Sequence, residues 1–109
     1  MNGELLQRLK NIQELNVSQN QLSGLNLEGF TLSSLRELNC SSNRLKSVDD
    51  FIIFPNLEKL DVSDNAQLEV SDRYKLVSLL PKLKVLEDKD VSIMREAVNK
   101  FDAALANKV

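Results

Sequence analysis

A nine-residue pattern of apolar and polar positions occurs three times along the chain. It has the form Ile/Leu-x-x-Leu-x-Val/Cys-Ser-x-Asn and covers residues 12–20, 35–43 and 57–65. The copies start at residues 12, 35 and 57, which are 23 and then 22 residues apart. A fixed period of this length predicts a stack of similar structural units, each supplying one strip of a shared core.

Each copy assigns a role to its positions. The central leucine and the apolar residue two positions later alternate with polar residues, which predicts a short strand with every second side chain turned inward. The closing residues Asn20, Asn43 and Asn65 are expected to turn the chain, because an amide can bond the backbone groups that a bend leaves unpaired. In the second copy the apolar residues that follow, from Leu45 to Phe54, recur every third position. This spacing favours a return path of helical or 3₁₀ turns.

The carboxyl-terminal third departs from the repeat. Leu76, Leu79, Leu80 and Leu83 have helical spacing, and Pro81 is expected to end that helix. Leu83 and Leu86, with Val91, are expected to form the apolar face of a final strand-like segment. Beyond it, apolar residues at steps of three and four predict an amphipathic helix; they are Val91, Met94, Val98, Phe101 and Leu105. This helix either packs on the last repeat or extends from it to hold a partner.

The segment Asp72-Arg73-Tyr74, followed by Leu80-Pro81-Lys82-Leu83 and then Leu86-Glu87-Asp88, resembles the carboxyl-terminal cap of intracellular leucine-rich repeat proteins. Glu87-Asp88 stands where the family has a single Asp after Leu86. The resemblance covers residues 6–91 and identifies the 22-residue repeat class, which includes the protein phosphatase 1 regulator, the spliceosomal A-prime protein and the axonemal dynein light chain of this fold. It implies an α/β leucine-rich repeat solenoid: a short right-handed superhelix with a concave parallel β-sheet, convex helical or 3₁₀ turns, and a carboxyl-terminal helix.

We predict a single domain over residues 1–109. It divides into a partial repeat (1–11), three repeats (12–70), the cap (71–91) and the amphipathic helix (92–109). Leu6, Leu9 and Ile12 share the spacing of Phe51, Phe54 and Leu57, so the array is expected to start in mid-repeat. The strand edge at residues 13–17 then either pairs with further repeats, self-associates, or is closed by the half-repeat acting as a cap.

Composition narrows the range of functions. The protein has 109 residues, 42% hydrophobic and 28% charged, with a net charge of −2 and no histidine. The lack of histidine excludes the commonest general base and most types of zinc site. The sequence also has no cluster of basic residues of the kind that binds nucleic acid directly. We therefore predict no enzyme activity, no cofactor and no metal. No apolar run is long enough to cross a membrane, and a cytoplasmic location is expected, with nuclear or ciliary/cytoskeletal alternatives. The single cysteine, Cys40, replaces a repeat valine and is expected to be buried.

The polar residues between the inward leucines are expected to form the concave face. That face carries seven acidic and four basic side chains, which favours a basic protein partner. Asp61 is expected to lie beside Asn39 on one side and Glu87 on the other, in one column. The candidate binding residues are Glu14, Asn16, Gln19, Arg36, Glu37, Asn39, Ser42, Lys59, Asp61, Asp64, Glu87 and Asp88. The predicted function is a non-enzymatic protein-binding scaffold. The alternative is an assembly unit of a longer cytoskeletal, ciliary or ribonucleoprotein array, packing through its amino-terminal edge or terminal helix.

Overall fold

The computed structural model describes residues 10–25 and 31–106, with the side chains of the last helix described as far as residue 101. In sequence order the elements are β1 (Glu14–Asn16), β2 (Glu37–Asn39), a 3₁₀ helix (Asp49–Ile53), β3 (Lys59–Asp61), α1 (Val70–Leu79), β4 (Val85–Leu86), β5 (Lys89–Asp90) and α2 (Ser92–Ala106). The predicted α/β class and the predicted helices in the cap and after it are confirmed.

The five strands form one sheet in the order of the sequence. β1 to β4 are parallel, and equivalent residues of successive repeats face each other: Leu15 pairs with Leu38, and Leu38 with Leu60. β5 pairs with β4 in the antiparallel sense. The predicted parallel sheet is thus present in β1 to β4, and β5 is an additional antiparallel strand that was not predicted. The chain reverses at Glu87 and Asp88, whose φ angles of 53° and 65° make a two-residue hairpin turn.

The core lies between the sheet and the return segments. Leu38, Leu60 and Leu86 point inward from consecutive strands and are 3%, 1% and 3% exposed. Against them pack Phe51, from the 3₁₀ helix, and Phe54, whose rings meet edge to face with centroids 5.9 Å apart. The apolar residues spaced by three after Asn43 thus return the chain along the opposite side of the core, as the spacing predicted.

Each repeat forms one turn of the stack, which we call a coil, and asparagine side chains join one coil to the next. The Asn43 Oδ1 accepts a hydrogen bond from the Leu22 N–H (3.1 Å), and its amide nitrogen donates to the carbonyls of Val17, Cys40 and Ser41. Asn65 repeats this arrangement one coil later, with its Oδ1 accepting from the Leu45 N–H at 3.0 Å. Because these bonds cross between coils, they fix the stacking as well as the turn. The predicted role of the asparagines is confirmed.

We call α1, β4 and β5 together the cap, because they cover the carboxyl-terminal end of the core. Helix α1 begins after Glu69, whose N–H donates to the Asp72 carboxylate at 2.8 Å, and ends before Pro81. Arg95 of α2 donates to three carbonyls in and beyond the last turn of α1, those of Val77, Leu80 and Leu83, at 3.0, 3.0 and 2.8 Å. This guanidinium bonds the Val77 carbonyl, which lacks a helical partner because Pro81 has no N–H, together with two carbonyls that follow the helix. It thereby holds α2 against the cap.

The packed face of α2 differs in part from the expectation. Val91 is buried just before the helix, and Met94 and Val98 pack against the core. Phe101, expected on that face, is 65% exposed, and Ile93 is 80% exposed. The predicted core positions Leu6, Leu9 and Leu105 lie outside the described residues and side chains. None of the described helices is long and apolar enough to cross a membrane.

Candidate functional site

The outward side chains of the strands line a groove of about 540 Å³. Seven of the twelve predicted binding residues lie in it: Glu14, Asn16, Glu37, Asn39, Lys59, Asp61 and Asp88. The strand register sets them in two rows. Glu14, Glu37 and Lys59 face one another across the strands, and so do Asn16, Asn39 and Asp61. The pairing of neighbouring strands therefore brings together outward side chains that are 22 or 23 positions apart in the sequence.

We call Asn16, Asn39 and Asp61 the amide column, after the side-chain amides of its two asparagines. A backbone hydrogen bond fixes each of these side chains at the end of its strand. In each case the Oδ1 atom accepts from the backbone N–H two residues later, at 2.9, 3.0 and 2.9 Å. In the second and third coils a serine hydroxyl adds a bond to the same oxygen: Ser41 Oγ at 2.7 Å and Ser63 Oγ at 2.6 Å. The serine hydroxyls thus help to orient the side chains of Asn39 and Asp61. The side chains are fixed before any partner arrives.

The remaining five predicted residues lie outside the groove. Gln19, Ser42 and Asp64 occupy equivalent turn positions with φ angles of 58°, 55° and 54°. The Ser42 hydroxyl donates to the Asp64 carboxylate at 2.9 Å, linking the second and third turns. These residues continue the face beyond the strand ends, where the left-handed backbone gives the coil its sharp bend.

Arg36 and Glu87 are already paired. Arg36 lies 3.6 Å from Glu58, and Lys84 lies 3.4 Å from the same carboxylate, so the three form a charged rim beside the groove. Glu87 turns away from the groove to meet Arg73 of α1 in a two-point ion pair, with N–O distances of 2.7 and 3.2 Å. The expected column neighbour of Asp61 is thereby neutralised, and Asp88, the next residue, lines the groove with Asp61.

The groove carries an excess of negative charge. Among the residues that the structure describes, Glu14, Glu37, Asp61 and Asp88 have no ion-pair partner within 4 Å, and Lys59 is the basic residue lining the groove. Outside the groove, burial is the main cause that raises the pKa of the Cys40 thiol to about 12, and the Asp61 charge adds to it. This thiol is therefore not a nucleophile at neutral pH.

The described part of the chain offers no group of three metal-ligating side chains. It does contain a surface feature that sequence reasoning missed. Ile93, Ala97 and Phe101 follow one another at steps of four and are all exposed, so α2 presents an apolar stripe away from the cap. The step of four was visible in the sequence, but which apolar stripe would pack was not.

The full sequence is similar to known proteins. A family model described as "Leucine-rich repeat and WD repeat-containing protein 1, LRR" matches residues 1–109. The protein named Leucine-rich repeat and WD repeat-containing protein 1 from Mus musculus is 38% identical over 109 residues, which are 100% of this chain and 17% of the relative. Its Xenopus tropicalis counterpart is 40% identical over 95 residues, or 87% and 14% of the two chains. The Danio rerio protein is 38% identical over 88 residues, or 81% and 11%.

The chain thus spans less than a fifth of the length of these relatives. The match confirms the resemblance to leucine-rich repeat proteins noted in the sequence, and the family implies a repeat solenoid of a generally non-catalytic, protein-interaction type. The chain belongs to the leucine-rich repeat family of Leucine-rich repeat and WD repeat-containing protein 1.

Proposed function

We propose that the protein is a non-enzymatic protein-binding module that holds a basic protein partner in the groove between its strands. The observation that carries the proposal is the gathering of seven polar and charged side chains on a rigid sheet face. Strands braced by a core present such side chains with little entropy cost, which favours binding. The cytoplasmic location expected from the sequence stays a prediction.

Charge supports a basic partner. Glu58 and Glu87 already have basic partners, but the acidic groove residues have none among the described residues. A partner carrying lysine or arginine would therefore gain attraction without breaking an existing pair, and the same field would raise its association rate.

The test is charge reversal at the centre of the groove. Glu37→Lys with Asp61→Lys changes the net charge by four, and so does the control Asp49→Lys with Glu96→Lys, which alters exposed residues elsewhere. The full-length gene product is used to identify partners by crosslinking mass spectrometry, and each partner is then titrated against both variants. We expect the groove variant to lose binding by tenfold or more and the control to retain it. Equal binding by both variants would place the partner on another surface.

A second function is favoured by the exposed stripe on α2. Ile93, Ala97 and Phe101 would fit an assembly unit that docks on another part of its own longer polypeptide, since the matched relatives are at least several times longer than this chain. Apolar side chains that are 80% and 65% exposed gain most from such burial.

This second function is tested by placing a photo-crosslinking amino acid in the full-length gene product. One probe replaces Phe101 in the stripe, and a matched probe replaces Lys100 on the polar side. Crosslinks to the same polypeptide from position 101 and not from position 100 are expected. Equal crosslinking yields from the two positions would show that the apolar stripe is not the docking surface.

A further inference from the structure

The fixed side chains of the amide column leave one polar atom each for a ligand. The Oδ1 of Asn16, Asn39 and Asp61 is used within its own turn. The other atoms are the amide nitrogens of Asn16 and Asn39 and the Oδ2 of Asp61, and no described residue bonds them. In the described part of the protein no buried side-chain nitrogen or oxygen lacks a partner. Solvent, or a ligand, therefore reaches these three atoms.

The column thus presents two hydrogen-bond donors followed by an acceptor, one on each of three neighbouring strands. Backbone C=O groups of a ligand would accept from the two asparagines, and a backbone N–H would donate to Asp61. An extended polypeptide can offer both kinds of group. An α-helix cannot, because its backbone groups are already bonded within the helix.

Spacing supports the same ligand. Neighbouring strands lie about 4.8 Å apart, so β1 and β3 are separated by about 9.6 Å. Three residues in an extended conformation span about 9.9 Å. A peptide crossing the strands therefore advances by two strands with every three residues.

The negative charges of the groove indicate where the bound peptide carries basic side chains. In an extended peptide, residues three positions apart point to opposite sides. Glu14 on β1 and Asp61 on β3 lie two strands apart and in opposite rows of the groove. Basic residues at positions i and i+3 of a peptide lying between the rows would therefore face these two carboxylates.

We propose that the groove binds an extended polypeptide segment with lysine or arginine at i and i+3, lying across the strands with its backbone bonded to the amide column. This rests on the proposed function, since it assumes that the groove is the binding surface, and it adds the conformation and spacing of the bound segment.

The test uses two fluorescein-labelled dodecapeptides. One repeats Lys-Thr-Val four times, which places lysine at every third position among residues that favour an extended conformation. The control has the same composition with its lysines adjacent in pairs. Fluorescence anisotropy with the protein is expected to show about tenfold tighter binding of the first peptide.

The decisive variant is Asn39→Asp. A carboxylate can still accept the bonds from Ser41, so the turn is kept, but a donor in the column becomes an acceptor. Attraction of a basic peptide to the added negative charge predicts tighter binding. Backbone bonding predicts binding weaker by about tenfold, because a peptide C=O then faces an oxygen. Asn16→Asp, on the edge strand, makes the same change if the first variant does not fold.

The outcomes separate the two proposals. Unchanged or tighter binding by Asn39→Asp overturns the backbone-bonded mode, and the groove itself stands if Glu37→Lys with Asp61→Lys still abolishes binding. Equal binding of the two peptides overturns the i, i+3 spacing. Binding of the first peptide that survives the double charge reversal overturns the groove as the site. No measurable binding of that peptide to the unaltered protein overturns the inference.

Discussion

At the scale of single residues, the three repeat asparagines are not equivalent. Asn43 and Asn65 are 7% and 3% exposed and bond backbone groups of two coils. Asn20 is exposed, and its amide donates to Val17 and Ser18 of its own coil. An amide that serves two coils contributes more to stability than one that serves a single turn.

We expect Asn43→Ala to lower the free energy of unfolding by about 1 to 3 kcal/mol, because the partly buried Leu22 N–H loses its partner and the carbonyls of Val17, Cys40 and Ser41 each lose one of their donors. Asn20→Ala is the matched control, and its loss should be smaller, since water can replace its bonds. Urea denaturation followed by circular dichroism measures both. Similar midpoints for the two variants would contradict the inter-coil role of Asn43.

Cys40 allows a prediction about reactivity. Its pKa is raised to about 12 by burial and by Asp61, so at pH 8 its thiolate fraction lies about a thousandfold below that of a free cysteine. The native protein should therefore react with a thiol reagent at least that much more slowly than the urea-unfolded protein. Equal rates in the two states would show that the Cys40 sulfur is accessible.

The same shift affects stability in alkali. The folded pKa lies above the unfolded one, so the buried neutral thiol stabilises the fold fully below about pH 8.5, and that stability is lost as pH rises towards 12. Cys40→Val, which restores the residue type of the sister repeats, should show a weaker fall in stability above about pH 9. Identical pH profiles would contradict this assignment.

Residue types predicted part of the groove and not the rest. The expected strand register placed Asn39 beside Asp61, and the observed pairing of β2 with β3 agrees. The bonds from Asn16, Asn39 and Asp61 to the backbone two residues on were not predicted, although an Asn/Asp-x-Ser spacing is typical of them. The pairing of Glu87 with Arg73 was missed, because these residues are 14 positions apart and their meeting depends on the orientation of α1.

At the scale of elements, the hairpin at the end of the sheet was the least predictable feature. Two-residue hairpin turns usually contain Asn-Gly or Asp-Gly, because both positions need a positive φ. Here Glu87 and Asp88 take those positions. The Arg73 pair at Glu87 is a tertiary contact that stabilises the turn, and no local sequence pattern reports it.

The junction of the two helices depends on Arg95. We expect Arg95→Ala to lower the free energy of unfolding by about 2 to 3 kcal/mol, since three carbonyls in and beyond the last turn of α1 lose a charged donor. Arg95→Lys should recover only part of this, because an ammonium lacks the planar fork that spans the three oxygens.

Lys100→Ala is the control for this prediction, because Lys100 forms an exposed pair with Glu96 on the same helix. Thermal unfolding measures stability, and limited proteolysis reports whether α2 has left the cap. An Arg95→Ala protein as stable as the control would show that the apolar contacts of Met94 and Val98 are enough to hold the helix.

At the scale of the whole molecule, burial rises from the first coil to the second. Ile12, Leu15 and Val17 are only half-buried, whereas their equivalents Leu35, Leu38 and Cys40 are 0 to 3% exposed. In a stacked array each coil is stabilised by its neighbours, so a coil with fewer packed neighbours opens more easily.

We therefore expect amide hydrogen exchange to be fastest in β1 and slowest in β3, which lies between two strands and beside the cap. Exchange followed by mass spectrometry on short peptides measures this order. The related proposal that the edge of β1 pairs with a second copy is tested by sedimentation velocity on the same sample. The proposal that it joins further repeats is tested by the gene sequence upstream of Met1. Uniform protection across β1 to β3 in a monomeric protein would show that the first coil is closed by itself.

The repeat pattern predicted the strands, the turns and the return path because each is set by local spacing. The superhelical hand stays a prediction, and the choice between the two apolar stripes of α2 could not be made. Met94 and Ile93 are both apolar and adjacent, and Met94 packs against the core beside the contact of Arg95 with the Leu80 carbonyl. That contact depends on how the two helices meet, which local spacing does not report.

The asparagine bonds between coils bear on how such a protein can change in length over evolution. The side chain of Asn43 accepts a bond from the Leu22 N–H, and that of Asn65 accepts one from the Leu45 N–H. Each repeat therefore contains its own turn asparagine and also the backbone groups that the asparagine of the next repeat bonds. A tandem duplication of about 22 residues would bring its own connections and its own outward polar side chains. The groove could then lengthen by one strand in a single genetic event, and its new side chains could diverge while the bonds that hold the coils stay in place.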